Sequence, residues 1–229
     1  MKTKTIRKSI AVNLMAVAAL VFLSSCDNNQ IDPFGSADLK VVNAAPNSGS
    51  QKFIMVNIPY ISNLSYLEHS VSYHSVTSGN KLVSQFRDQS DNDLYAAEEL
   101  NLSDDKKYTV YLTGESRDDA EVRLFEDNMT TPASGKAKVK FIHLSAGAPA
   151  SIDFVDAQGN NLSTNLGRYS QSSYIEINAG SLSIQVHGSG AAEILATLGT
   201  TDFSAGKIYT VFIAGSAASG YRVEQLSHN

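Results

Sequence analysis

The stretch YTVYLTG at residues 108–114 returns as YTVFIAG at residues 209–215, an offset of 101 positions. In each copy the Tyr, the Val and the Leu or Ile that follows alternate with the other side chains. This period of two is typical of a β-strand. The offset is too long for a solenoid repeat or a propeller blade, but it matches the size of a small domain. The pair therefore predicts two tandem copies of one β-domain.

Other segments repeat in the same order. LKVVN at 39–43 aligns with VKFIH at 139–143, and KFIMV at 52–56 aligns with SIDFV at 151–155. A last strand follows each YTV strand, after a Gly and a short polar loop. A polar segment with Pro and Gly separates the copies, which marks a linker. The predicted boundaries are a first domain at 38–127, a linker at 128–136 and a second domain at 137–229.

Short alternating runs, separated by Gly, Asn, Ser and Asp clusters, fill both copies. We predict strands at 39–44, 52–57, 70–77, 80–86, 94–101, 107–113 and 120–126, then at 137–144, 151–156, 162–166, 173–178, 181–187, 194–200, 207–214 and 221–226. About seven short strands in each copy favour an all-β fold, with two tandem immunoglobulin-like antiparallel β-sandwich domains after a signal peptide.

The first residues predict a secretory signal peptide at 1–25. Lys2, Lys4, Arg7 and Lys8 precede a short apolar run at 10–23, which is too short for a comfortable membrane-spanning helix. The run ends in LSSC at 23–26, which resembles a bacterial lipobox. We expect Cys26, the single cysteine of the chain, to be lipidated and to anchor the protein to a membrane.

Residues 26–37 are polar, with one Pro and one Gly after the cysteine, which predicts a solvated tether. Cleavage before Cys26 would leave 14 Lys and Arg against 23 Asp and Glu, a formal charge of −9. An acidic chain is repelled by phosphate, so we expect no nucleic-acid partner. We expect an outer-membrane lipoprotein of the cell envelope; the sequence does not distinguish the periplasmic face from the surface-exposed face.

The stretch AKVKFIHLSAGAPASIDFVDAQG, residues 137–159, resembles the opening of the DUF4397 family, and the YTV strand with its Gly resembles the family's closing segment. The resemblance covers most of 137–226 and, more weakly, 38–126, where Asn43 stands for the His and Ile54 for the Asp. It implies secretion and β-structure, without a general activity.

His143 and Asp153 lie in this signature and have two interpretations. They could form an acid/base or metal pair, or His143 could donate to a loop carbonyl while Asp153 holds a turn by local hydrogen bonds. The absence of both from the first copy favours the second interpretation. We therefore predict no catalytic residue and no enzyme, with a cryptic hydrolase using His143 as the less favoured alternative.

The loop at 88–93 is the best candidate for a cation site. Asp88, Ser90 and Asn92 match ligand positions of an EF-type loop and Glu99 its last position, but Asp93 stands where the sharp turn needs Gly. The flanking residues also read as strand. We predict a solvated loop, no metal site and no cofactor.

Tyr60, Tyr66 and Tyr73 cluster in the stretch at 58–75, which has no clear counterpart in the second copy. An aromatic, loop-like insertion is a candidate ligand surface; the alternative is a long hairpin packed on its own domain. The sequence thus predicts a non-enzymatic envelope lipoprotein, a binding or adhesion module for a glycan or protein partner. A structural spacer or assembly subunit is the other alternative.

Overall fold

A computed structural model describes residues 35–229; the predicted signal peptide, Cys26 and nearly all of the predicted tether lie outside them. The described residues form an all-β structure with one 3-10 turn at Arg117–Asp119. Within this part of the chain, no helix is long and apolar enough to cross a membrane. The sixteen strands of residues 35–229 fall into two units of eight, each with two four-stranded sheets.

The first unit contains strands β1 to β8. Their bounds are Ser36–Asn43, Gln51–Met55, Ile58–Leu64, His74–Thr77, Gly79–Asp88, Leu94–Leu102, Lys107–Thr113 and Glu121–Glu126. The order β4-β1-β7-β8 makes one sheet, here called the inner sheet, and β3-β2-β5-β6 makes the outer sheet.

The second unit repeats this topology with strands β9 to β16. Their bounds are Lys136–His143, Ser151–Asp156, Asn161–Gly167, Ile175–Asn178, Gly180–Gly188, Ile194–Phe203, Ile208–Ala214 and Arg222–Ser227. The inner sheet has the order β12-β9-β15-β16 and the outer sheet β11-β10-β13-β14. The two YTV strands are β7 and β15, which occupy equivalent positions.

Each inner sheet is mixed, which corrects the prediction of purely antiparallel sheets. β1 pairs with β7 in parallel, with Val41 opposite Val110, and β9 pairs with β15 in parallel, with Phe141 opposite Val211. The chain passes through the outer sheet between these strands, so it can return in the same direction. The immunoglobulin-like topology is therefore not confirmed.

The stretch at 58–75 is not an insertion. It contains β3, which the sequence reading missed, and its counterpart in the second unit is β11 with the loop that follows. Backbone angles show the match: Asn63 and Leu67 have φ of 57° and 68°, and Asn165 and Tyr169 have φ of 53° and 58°. Pro59 and the exposed polar residues of β3 hid its alternation.

The alignment of β2 with β10 shifts by two residues from the predicted one. Phe53 and Phe154 each lie between two register shifts, opposite Phe86 and Val186 respectively. They are therefore equivalent, at an offset of 101. Lys52, and not Ile54, occupies the position of Asp153.

Each unit has its own hydrophobic core between its two sheets. In the first unit the rings of Phe53 and Phe86 lie 5.0 Å apart, and in the second those of Phe141 and Phe154 lie 4.8 Å apart. All four are fully buried. Burying such a side chain stabilises the fold by roughly 1.5–3 kcal/mol.

A third core joins the two units, because the inner sheets are buried on both faces. All seven residues of β15 are buried, and so are six of the seven of β7. Tyr111 of the first unit lies edge-on to Phe212 of the second, with ring centroids 5.7 Å apart. Val42 and Ile142 belong to the same cluster. Tyr108 and Val110 face the core of the first unit and Tyr209 and Val211 that of the second, and the opposite face of both strands is buried as well.

Candidate ligand groove and the buried interdomain centre

An open groove of about 670 Å³ lies on the first unit. Its walls come from β3, from the start of β4 and from the loop between them. β3 is an edge strand of the outer sheet and β4 an edge strand of the inner sheet, so the groove follows the open side of the sandwich. Apolar and polar side chains share the lining, among them Tyr60, Leu64, Leu67, His69, Val71 and His74.

Tyr60 and His74 form the aromatic part of this groove. Their rings are 6.5 Å apart at 69°, an edge-to-face arrangement. Burial raises the pKa of Tyr60, so its hydroxyl stays protonated at neutral pH. Val71, on the loop, is 95% exposed. A groove with an aromatic ring, an imidazole and an exposed apolar residue can hold a mixed polar and apolar ligand.

Of the three predicted tyrosines, Tyr66 and Tyr73 do not line the groove. Tyr66 packs against the core between the units, where burial raises its pKa to about 12. Its buried hydroxyl has no hydrogen-bond partner among the described residues. The Tyr73 hydroxyl binds Asp127 and His228 at the interface between the units. The three rings therefore do not form one surface.

His143 and Asp153 are not brought together. His143 is fully buried, and its Nε2 donates to the Pro149 carbonyl at 2.9 Å. Burial lowers the pKa of His143, so the imidazole is neutral. The equivalent Asn43 also binds the loop after its strand, because its Nδ2 donates to Ser48, and it donates to the Leu64 carbonyl at the end of β3 as well.

Asp153 lies on the other sheet of the second unit, on the face away from the core. Its carboxylate accepts hydrogen bonds from the Asn165 and Gly190 amides and from the Ser189 hydroxyl. These bonds lower the pKa of Asp153, against an opposing effect of partial burial. This is the local turn-holding arrangement that the second interpretation of the signature described.

The acidic loop at 88–93 joins β5 and β6 as a hairpin. The Asp88 carboxylate pairs with the Arg117 guanidinium and accepts a hydrogen bond of 2.7 Å from Gln51 Nε2. A cation would have to compete with both donors. Within residues 35–229, no group of three or more His, Cys, Asp and Glu side chains is placed to hold a metal ion.

A polar centre that the sequence did not predict is buried between the two inner sheets. Lys140 Nζ lies 2.9 Å from Asp127 Oδ1, and the two side chains are 1% and 0% exposed. Lys140 also donates to the Glu126 carbonyl at 2.9 Å. The other carboxylate oxygen of Asp127 accepts hydrogen bonds from Thr109 at 2.6 Å and from Tyr73 at 2.9 Å.

The second unit contributes the equivalent positions with one change. Thr210 binds His228 Nε2 at 2.7 Å, and Lys40 donates to the Ser227 carbonyl at 2.8 Å. In the repeat, Thr109 is equivalent to Thr210, and Lys40 is equivalent to Lys140. Asp127, however, is matched by His228. Both units thus contribute a lysine and a threonine to the centre, but the first unit contributes an acid where the second contributes an imidazole.

Burial controls the charges of this centre. It lowers the pKa of His228 to about 4, with Asp127 opposing and the two lysines adding to the effect, so the imidazole is neutral at pH 7. It also lowers the pKa of Lys140, against the attraction of Asp127. The sequence held a signal for the centre: the same repeat that aligns the YTV strands places Asp127 on His228, directly after the last strand of each unit.

A comparison with curated proteins finds no match to this chain. A comparison with family models finds the domain of unknown function DUF4397 at residues 37–154, slightly more than half of the chain. The match contains all of the first unit after Ser36, although the sequence pattern is weaker in this copy, and it ends within β10 of the second. The region at 136–228 has the same strand order but is matched only in its first strands. The chain belongs to the DUF4397 family.

Proposed function

We propose that this protein is a non-enzymatic lipoprotein of the cell envelope that acts as a binding module, with two tandem DUF4397-like domains carried on a lipidated Cys26. The groove beside Tyr60 is the proposed ligand surface. It is the observation that carries the proposal, because it combines an edge-to-face Tyr and His pair with the exposed Val71 on an open side of the first unit.

The packing of the two units supports this role. A buried core and buried hydrogen bonds join the inner sheets, so both outer sheets and both open sides face away from the contact. A tether ahead of β1 would then present one rigid head. The same rigidity suits the spacer alternative, which differs in needing no ligand.

The hydrolase alternative has less support. His143 is enclosed in the core and bonded to Pro149, and the Asp153 carboxylate is held by three donors on another face. A general base must reach the proton that it removes. We therefore keep the non-enzymatic proposal.

A glycan-array screen of the chain without residues 1–26 tests the proposal. A hit should weaken at least tenfold in Tyr60→Ala, because the groove loses its aromatic ring. Ile194→Ser is the matched control, since Ile194 is an exposed apolar residue, 47% accessible, on the second unit. A hit that Tyr60→Ala leaves unchanged would exclude this groove. No detectable binding to any sugar on the array would favour a protein partner or the spacer role.

A further inference from the structure

The Lys140–Asp127 pair differs from the other lysine–carboxylate pairs of residues 35–229. In the Lys106–Glu126 and Lys107–Asp38 pairs the side chains are 36–51% exposed, whereas those of Lys140 and Asp127 are 1% and 0% exposed. A buried ion pair incurs a large desolvation penalty, because water no longer stabilises either charge. In its neutral form the pair is an amine beside a carboxylic acid, the two groups that an amide condensation joins with the loss of water.

From this geometry we infer that Lys140 and Asp127 are joined by an intramolecular isopeptide bond, which links the two units covalently. Asp127 follows β8, the last strand of the first unit, and Lys140 lies on β9, the first strand of the second. Their reacting groups are in contact, with Nζ 2.9 Å from Oδ1. Contact of this kind replaces the encounter of two separate reactants and so lowers the entropic part of the barrier.

The reaction balances without any further reactant. A proton passes from the Lys140 ammonium to Asp127 Oδ1, giving a neutral amine and a carboxylic acid. The lone pair of Nζ then attacks Cγ of Asp127, and a C–N bond forms. The C–Oδ1 bond breaks as that oxygen takes a second proton from the nitrogen. One water leaves, and an amide remains. Burial, which lowers the pKa of Lys140, favours the first proton transfer.

The neighbours of Asp127 are placed to assist the attack. Thr109 and Tyr73 both donate to Oδ2, the oxygen that would gain negative charge when Nζ adds to Cγ. Fixed donors at such an oxygen stabilise the transition state. The Glu126 carbonyl holds a hydrogen of Lys140 Nζ and so orients the amine. His228 Nδ1 lies 2.6 Å from the Tyr73 hydroxyl oxygen and, because that hydroxyl donates to Asp127, donates its own hydrogen to it, which holds Tyr73 in place.

The repeat supplies a matched control. Lys40 is the equivalent of Lys140, but its Nζ binds the Ser227 backbone carbonyl, and the position equivalent to Asp127 holds His228. The Lys40 amine therefore has no carboxyl group in hydrogen-bond contact with which it could react. The chemistry predicts one bond, at Lys140, and none at Lys40.

Mass spectrometry of tryptic peptides from the full-length protein, purified in detergent, tests the inference. An isopeptide bond blocks cleavage after Lys140, so the expected product joins residues 124–136 to residues 139–168 with the loss of one water. Lys140→Arg should release 124–136 as a free peptide, whereas Lys40→Arg should retain the joined product. Free 124–136 and 141–168 from the unaltered protein would overturn the inference, and this result does not depend on the folding of any variant.

A kinetic variant tests the assisting donors. In Thr109→Val the attacking and leaving groups remain but one donor to Oδ2 is lost. We expect the joined fraction to rise at least tenfold more slowly after synthesis than in the unaltered protein. A rate equal to that of the unaltered protein would exclude Thr109 from the reaction. These outcomes are independent of ligand binding in the groove.

Discussion

Asp127 and His228 occupy the same position in the two units, and Asp127 Oδ2 lies 3.6 Å from His228 Nδ1 across the interface. A carboxylate opposite a second carboxylate would repel it, and two imidazoles would leave the nearby lysines without an anion. One acid and one neutral imidazole give two unlike faces that fit each other. The contact thus favours pairing a first unit with a second unit over pairing two like units.

Removing the buried acid should strongly destabilise the protein. In Asp127→Ala the proposed bond to Lys140 cannot form, and the Lys140 amine stays buried without its partner; leaving such a charge uncompensated costs about 3–5 kcal/mol. Urea unfolding followed by circular dichroism measures the loss. The control is Asp38→Ala, which removes an exposed partner of Lys107 and should cost less than about 1 kcal/mol. Equal losses in both variants would contradict the prediction.

The buried imidazole makes stability depend on pH. The pKa of His228 is about 4 in the folded protein and 6.5 in its ordinary state. The unfolded chain therefore binds more protons between these values, and the free energy of unfolding should fall as pH drops from about 6.5 towards 4. The full effect is on the order of 3 kcal/mol. Denaturant midpoints at several pH values measure it, and His228→Gln should flatten the curve in this window. An unchanged slope in that variant would assign the pH dependence to other groups.

Local patterns predicted the two-copy β-fold well, because alternation and turns are written in neighbouring residues. Two features of the fold were not predicted. β3 carries Pro59 and polar, exposed residues, so its alternation is weak, although its position matches β11. The contact between the inner sheets depends on Lys40, Lys140 and Asp127 being buried, and single lysines in alternating strands normally indicate a solvated face. The stretch at 58–75, which the sequence singled out, contains the groove. Which of its tyrosines lines the groove could not be predicted, because Tyr66 and Tyr73 are held by packing between the units.

Tyr66 should tolerate loss of its hydroxyl. That group is buried without a hydrogen-bond partner among the described residues, so Tyr66→Phe removes a desolvated polar atom and should stabilise the protein by up to about 1 kcal/mol. In Tyr73→Phe, by contrast, Asp127 and His228 lose a partner, which should cost about 1–3 kcal/mol. Thermal unfolding of both variants checks the contrast. A destabilised Tyr66→Phe would mean that its hydroxyl has a partner.

The lipid anchor is testable through its processing. If Cys26 is the lipidated first residue of the mature protein, globomycin should cause the uncleaved precursor to accumulate, because the drug blocks lipoprotein signal peptidase. Cys26→Ser should likewise stop lipid labelling of the protein and cleavage of its signal peptide before residue 26. Immunoblots of cells with and without the drug give the measurement. Unaffected processing would exclude the lipoprotein proposal and leave the fold and the groove untouched.

Replacing the glycine that ends each YTV segment should destabilise the protein, because its backbone conformation and its close backbone contacts leave no room for a side chain. Gly215 has φ of 80°, and a Cβ placed on it would lie 2.2 Å from the Gly220 carbonyl oxygen. Gly114 has φ of 110° and would meet the Asp119 carbonyl oxygen at 2.6 Å. Alanine at either position must adopt a disfavoured φ and displace backbone, so we expect a loss of about 1–3 kcal/mol or more. Gly199 of β14 has open space around it, so Gly199→Ala is the control and should be nearly neutral. A neutral Gly215→Ala, measured by the same unfolding experiment, would mean that the turn after β15 can rearrange without cost.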